Sequence, residues 1–172
     1  MKKLIIFASL ALVPFTASAS DGFNFSAYTV DKVYTGKPHA PKFVGNNERL
    51  SSFKTRIKDA MAGGSVFAGE FSVAQFGCGT GCTSVIVANN RTGDLYSFPR
   101  GGESNQALTL AFTAKSNLMV ARWYTDSLWE TCVFESFLFD DGKWIAKAAI
   151  ASKGDEICSA DVAQGAKKAG DN

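Results

Sequence analysis

Beyond the glycine pair Gly63-Gly64 the chain changes its period and does not change it back. Val66 to Phe76 alternates, with Phe67, Phe71 and Val73 on one side, and Thr83 to Ala88 is β-branched and apolar. Asn90-Arg91-Thr92-Gly93 supplies a turn before Leu95 to Phe98, which predicts a hairpin. Pro99 to Gln106 reads as a polar loop. Leu108 to Thr113 and Leu118 to Tyr124 flank a Lys115-Ser116-Asn117 turn, and Cys132 to Phe139 faces Lys143 to Ala149 across Asp140-Asp141-Gly142. Successive hairpins of this kind dictate antiparallel pairing, because a parallel connection needs a long crossover.

Ahead of the glycines the period is helical. Leu50, Phe53, Ile57 and Met61 recur at three- and four-residue steps, Asn46 or Asn47 stands where a cap belongs, and Arg49, Lys54, Arg56, Lys58 and Asp59 occupy the other face. Tyr28, Val30, Val33 and Tyr34 predict a short strand, followed by a loop through Pro38-His39-Ala40-Pro41. The expected fold class is therefore α+β: one twisted antiparallel meander sheet with a single amphipathic helix packed on it. The tail, 161–172, is rich in Ala, Gly and Lys and predicts disorder, leaving 20–160 as one globular domain.

Residues 1–19 read as a secretory signal: Lys2-Lys3, an apolar stretch from Leu4 to Phe15, and the small-residue exit Ala17-Ser18-Ala19. Lys2 and Lys3 account for the whole excess of 18 basic over 16 acidic side chains, so the remainder is neutral. A neutral domain is a poor nucleic-acid binder. After Phe15 no apolar stretch is long enough to cross a bilayer, so membrane insertion is not expected once the signal is gone. The periplasm is the expected compartment, with release to the medium as the alternative.

Export places the four cysteines where disulfides form and persist. Of three possible connectivities, local pairing is favoured: Cys78 and Cys82 enclose only Gly79-Thr80-Gly81, which can turn back on itself, and Cys132 then pairs with Cys158. The spacing suits neither a dinucleotide fingerprint, whose last glycine is here Cys82 and which needs a following helix, nor a dithiol oxidoreductase, which separates its thiols by two residues. A bridged Gly-rich loop loses little entropy on docking and suits a preorganised binding finger.

Groups for catalysis are sparse. His39 is the single histidine, set between two prolines, and neither a zinc site nor a Ser-His-Asp constellation is expected around it. Asp126, Glu130 and Glu135, or Asp140 and Asp141, are the available carboxylate groupings, the last two in a turn where Asp-Gly serves the backbone. Phe137 and Phe139 share a strand face and read as core; Trp123, Tyr124 and Trp129 border a polar segment, and core or rim packing is the favoured reading for them, with a partly exposed aromatic patch as the alternative. Arg100 sits on the polar loop and matters only if that loop adjoins the Cys78 loop.

The runs Phe67-Ala68-Gly69-Glu70-Phe71, Gly77-Cys78-Gly79 with Cys82, and Thr92-Gly93-Asp94-Leu95-Tyr96, following a basic amphipathic helix, resemble a group of small exported bacterial proteins of uncharacterised function. Their usual pattern is FAG-His-Tyr, then Trp-Gly-Cys-Gly-x-x-Cys, then Asp-x-x-Thr-Gly. The likeness covers residues 48–98, and this chain has Glu70 where His is usual, Phe76 where Trp is usual and Asn89 in the region of the usual Asp. More distantly the chain resembles the periplasmic lysozyme inhibitors of the Ivy type, in which a short Cys-closed loop plugs an enzyme's cleft. Their loop resembles Cys-Lys-Pro-His-Asp-Cys, so the resemblance implies a shared architecture without the inhibitory Lys and His.

The expected function is a non-enzymatic binding or inhibitor module, with Gly79, Thr80, Gly81 and Arg100 contacting a protein or envelope component and Cys78, Cys82, Cys132 and Cys158 as structural bridges. No cofactor or metal is called for. The alternatives are an immunity protein against a toxin and a thiol-active or hydrolytic enzyme.

Overall fold

The computed structural model describes residues 22–171, so the expected signal over 1–19 lies outside the described residues. The fold is α+β, with antiparallel sheets and helices, but it has two sheets in place of one. The strands are β1 (Phe71–Gly79), β2 (Cys82–Asn89), β3 (Leu95–Ser97), β4 (Gln106–Ala111), β5 (Leu118–Tyr124), β6 (Thr131–Asp140) and β7 (Lys143–Lys153). They form a three-stranded sheet ordered β1-β2-β3 and a four-stranded sheet ordered β4-β5-β6-β7, each strand antiparallel to its neighbour.

The reason for two sheets lies in strands that are apolar on both faces. Along β2, Val85 and Val87 face one way and Ile86 and Ala88 the other, and all four are buried. Leu118, Met119, Val120 and Ala121 of β5 behave alike. Such strands need cover on both sides, which one sheet under one helix cannot supply. The answer is four layers enclosing three apolar seams. Val85, Val87, Phe67 and Phe98 meet Leu108, Met119, Ala121, Phe137 and Phe139 between the two sheets. Ile86, Ala88, Ala74, Phe76 and Leu95 meet Leu50, Ile57 and Met61 on the outside of the small sheet. Leu118, Val120, Cys132 and Phe134 meet Phe23, Cys158, Val162 and Ala166 on the outside of the large one. The break between sheets falls where Pro99 cannot donate to a ladder and the polar loop takes over, so β3 is only three residues long.

Three helices occur among the described residues, where the sequence predicts one. Leu50, Ile57 and Met61 are buried as their spacing requires, but the segment is split into a 3-10 stretch (Gly45–Phe53) and α1 (Lys54–Ala62), which ends at Gly63. Asn47 does not cap; its Nδ2 donates to the Leu95 carbonyl at 3.0 Å and ties the stretch to β3. After the strands come α2 (Asp155–Cys158) and, in the tail 161–172 expected to be disordered, α3 (Val162–Asp171). Asp161 Oδ1 accepts from the backbone of Ala163 and Gln164, opening α3, and Val162 and Ala166, four apart, are buried. Small residues serve packing here: a side chain on Gly165 would lie 2.7 Å from the Phe134 ring. Arg122 holds the preceding turn, donating from Nη1 to the Cys158 and Ala160 carbonyls at 2.6 and 2.9 Å.

The predicted strand at Tyr28 to Tyr34 is likewise replaced. A 3-10 turn (Phe25–Ala27) leads to a single bridge between Thr29 and Ser116, and the rest is an extended arm. It borrows its hydrogen bonds from turns: Val30 donates to Lys115, Tyr34 to Gly69, His39 to Asn90 and Lys42 to Gly93. The arm straps one end of both sheets.

Candidate functional site

The sandwich has two ends of different character. At the strapped end, the motif residues of the resemblance support the arm. Gly69 has φ +78 and abuts the Lys32 carbonyl, where a Cβ would lie at 2.5 Å. Glu70 accepts from Asn89 Nδ2 at 2.8 Å and from Arg91 Nε at 2.7 Å, while Asn89 Oδ1 closes the next turn through the amides of Arg91 and Thr92. Arg91 in turn lies 4.6 Å over the Tyr34 ring. In Asp94, hydrogen bonds from Thr92 and Lys42 hold the carboxyl below its ordinary range. Glu70 and Asn89, two departures from the resembled pattern, thus bond to each other.

The opposite end carries the expected finger. Both bridges are formed, Cys78–Cys82 and Cys132–Cys158. Gly79 pairs with Cys82, so Thr80-Gly81 is a two-residue turn on a strand pair closed by its own disulfide. Gly81 has φ +69 with open space about its α-carbon, so glycine is required there by backbone conformation alone. Gly77, Cys78, Gly79 and Thr80 are exposed. The loop is anchored from below: the Gly81 carbonyl accepts from Ala107 at 2.9 Å and the Thr83 carbonyl from Gly102 at 3.0 Å.

The polar loop therefore adjoins the Cys78 loop, but Arg100 turns away from the tip. Its Nη2 donates to Glu135 Oε1 at 2.7 Å, its Nε to Oε2, and its guanidinium lies 5.3 Å over the Phe137 ring. Trp123 Nε1 donates to the same carboxylate at 2.8 Å. Burial pushes the Glu135 carboxyl up, but the hydrogen bonds from Arg100 and Trp123 and the Arg100 charge outweigh it and leave the group below its ordinary range. The three residues form a strut from the polar loop to β5 and β6. Of the carboxylates considered for catalysis, Glu135 is thus committed. Asp126 is too: the amides of Leu128, Glu130 and Thr131 donate to it, holding its carboxyl low.

A third loop, between β5 and β6, joins this end. Asp126 folds it so that Leu128 and Trp129 stand out, 77% and 54% exposed, with Trp129 at φ +61. The Trp129 ring stacks on Tyr124 at 5.7 Å. Tyr124 pairs with Gln106, the neighbour of Ala107, which itself sits at φ +51 in a bulge and bonds Gly81. Gly81, Ala107, Tyr124 and Trp129 are thereby linked across one rim. Core or rim packing, the favoured reading of the three aromatics, holds for buried Tyr124 but not for Trp129, which stands exposed, and Leu128 carried no signal of its own. His39 is exposed at the strapped end, and no cluster of metal-ligating side chains occurs among the described residues. No helix among them is long and apolar enough to cross a membrane. Comparison of the chain with protein-family models, curated proteins and solved structures gives no match.

Proposed function

We propose that the protein is a non-enzymatic binding or inhibitor module that works outside the cytoplasm, in the periplasm, and engages a protein or envelope component through its bridged end. The observation that carries this reading is the shared rim. The disulfide-closed tip at Thr80 and the Leu128–Trp129 wedge project from the same end, and both are fixed before any partner arrives. Interfaces draw most of their energy from a few aromatic anchors, and loops already ordered in the free state lose little entropy on binding. A bulky residue held at positive φ costs of order 1–3 kcal/mol, which the fold offsets with three hydrogen bonds to Asp126 to display an exposed indole. The two disulfides are compatible with an oxidising compartment.

The test is site-specific photocrosslinking in the exporting cell, with the probe at Thr80, at Leu128 or at Lys37 on the strapped end. Adducts of the same mass from Thr80 and Leu128, and none from Lys37, are expected. Equal labelling from Lys37, or no adduct from either bridged-end position, refutes the assignment.

A further inference from the structure

A cleft of about 440 Å³ opens between the helical layer and the rim of the small sheet. Its walls include Arg49 and Phe53 of the 3-10 stretch, Phe76 of β1, Ser84 of β2, Ser97 of β3 and Phe98 just beyond it. The rings of Phe53 and Phe76 stack face to face at 4.2 Å with 20° between their planes and form one apolar wall of the cleft. No carboxylate among the described residues lines it. Arg49 forms no ion pair among the described residues, and the Ser84 and Ser97 hydroxyls have no protein hydrogen-bond partner among them. Arg100 also borders the cleft, but its charge is taken by Glu135.

We infer that this cleft binds a small organic monoanion with a flat apolar body, of the aromatic carboxylate class. The ring packs against the Phe53–Phe76 wall, and the carboxylate accepts from Arg49 and the two serine hydroxyls, all donors without an internal acceptor. A cationic ligand meets Arg49 with no carboxylate to receive it. A dianion finds only one uncompensated cation among the lining residues, because Arg100 is already paired. The volume is within the range of small-molecule sites. The proposal goes beyond the macromolecular contact above and uses none of Thr80, Leu128 or Trp129.

The experiment is an amide-resolved NMR titration of the 15N-labelled, disulfide-intact protein with 3-phenylpropionate, 3-phenylpropanamide and phenethylammonium. Saturable shifts at Phe53, Ser84, Ser97 and Gly102 are expected with the acid at roughly millimolar concentration. The amide should bind about tenfold more weakly, the loss of one charge-assisted contact, and the ammonium should give no saturable shift. Arg49→Gln alters an exposed residue, so the fold survives, and acid and amide should then bind alike. Absence of saturable shifts with the acid, equal affinity for acid and amide in the native chain, or persistence of the preference in Arg49→Gln overturns the proposal.

Discussion

Replacing Arg100 with Met removes two charge-assisted hydrogen bonds from a carboxylate that is only 11% exposed and leaves Trp123 as its remaining donor. Breaking a fully buried pair costs about 3–5 kcal/mol. Arg100 is itself 33% exposed, so water reaches the gap, and about 2.5 kcal/mol is the reasonable expectation. Glu135→Gln should cost less, about 1 kcal/mol, because the stranded guanidinium can hydrate and Gln still accepts from Trp123. The double variant, with neither charge present, should lose about 1.5 kcal/mol, which gives a coupling of roughly 2 kcal/mol between the two sites. The assay is urea unfolding with both disulfides intact, supported by a fall of about 5–10 °C in Tm for the Arg100 variant. Acid supplies an independent arm. The folded-state value of Glu135 lies below the unfolded one, so its contribution is present above the unfolded value and is lost as pH falls through the folded value. The stability gap between the native chain and Glu135→Gln should therefore close in acid. An Arg100→Met cost below about 0.5 kcal/mol, or no coupling, would show the strut reasoning to be wrong and return Arg100 to the pool of free surface charges.

Opening the Cys132–Cys158 bridge by paired serine substitution should cost about 3.5 kcal/mol and opening Cys78–Cys82 about 2 kcal/mol, on the loop-entropy model; equal costs in urea unfolding would contradict it. Gly165→Ala should destabilise by about 1–3 kcal/mol through contact with Phe134 and the Ile157 carbonyl, which thermal unfolding can read; a neutral result would mean that α3 does not sit where described. Gly81→Ala should cost about 1 kcal/mol by backbone strain without any clash, and an unchanged Tm would show that the turn is not held at φ +69.

Hairpin boundaries were legible because turn residues and alternation act locally: Asn90 to Gly93, Lys115 to Asn117 and Asp141-Gly142 all lie between paired strands. What escaped was the number of layers. The signal was present in Val85-Ile86-Val87-Ala88 and Leu118-Met119-Val120-Ala121, apolar on both faces, yet such runs say only that cover is needed and not where it comes from. Helix α3 escaped because Ala, Gly and Lys look featureless until Phe134 supplies a surface on which small residues fit. At the candidate site the bridged loop was readable from spacing. The Arg100–Glu135–Trp123 strut was not, since it joins residues far apart in the chain that only the sheet packing brings together.

The seam outside the large sheet is closed by Phe23 from one end of the described chain and by Val162 and Ala166 from the other. A ribosome delivers Phe23 long before Val162 and Ala166. Until Val162 and Ala166 have been synthesised, Leu118, Val120 and Phe134 lack their outer cover, and Cys132 has no partner in Cys158 to close its loop. This layer therefore closes only once the segment after β7 has been made: a product truncated before α2 retains the residues of every strand, yet leaves Leu118, Val120 and Phe134 uncovered and Cys132 with an unpaired thiol.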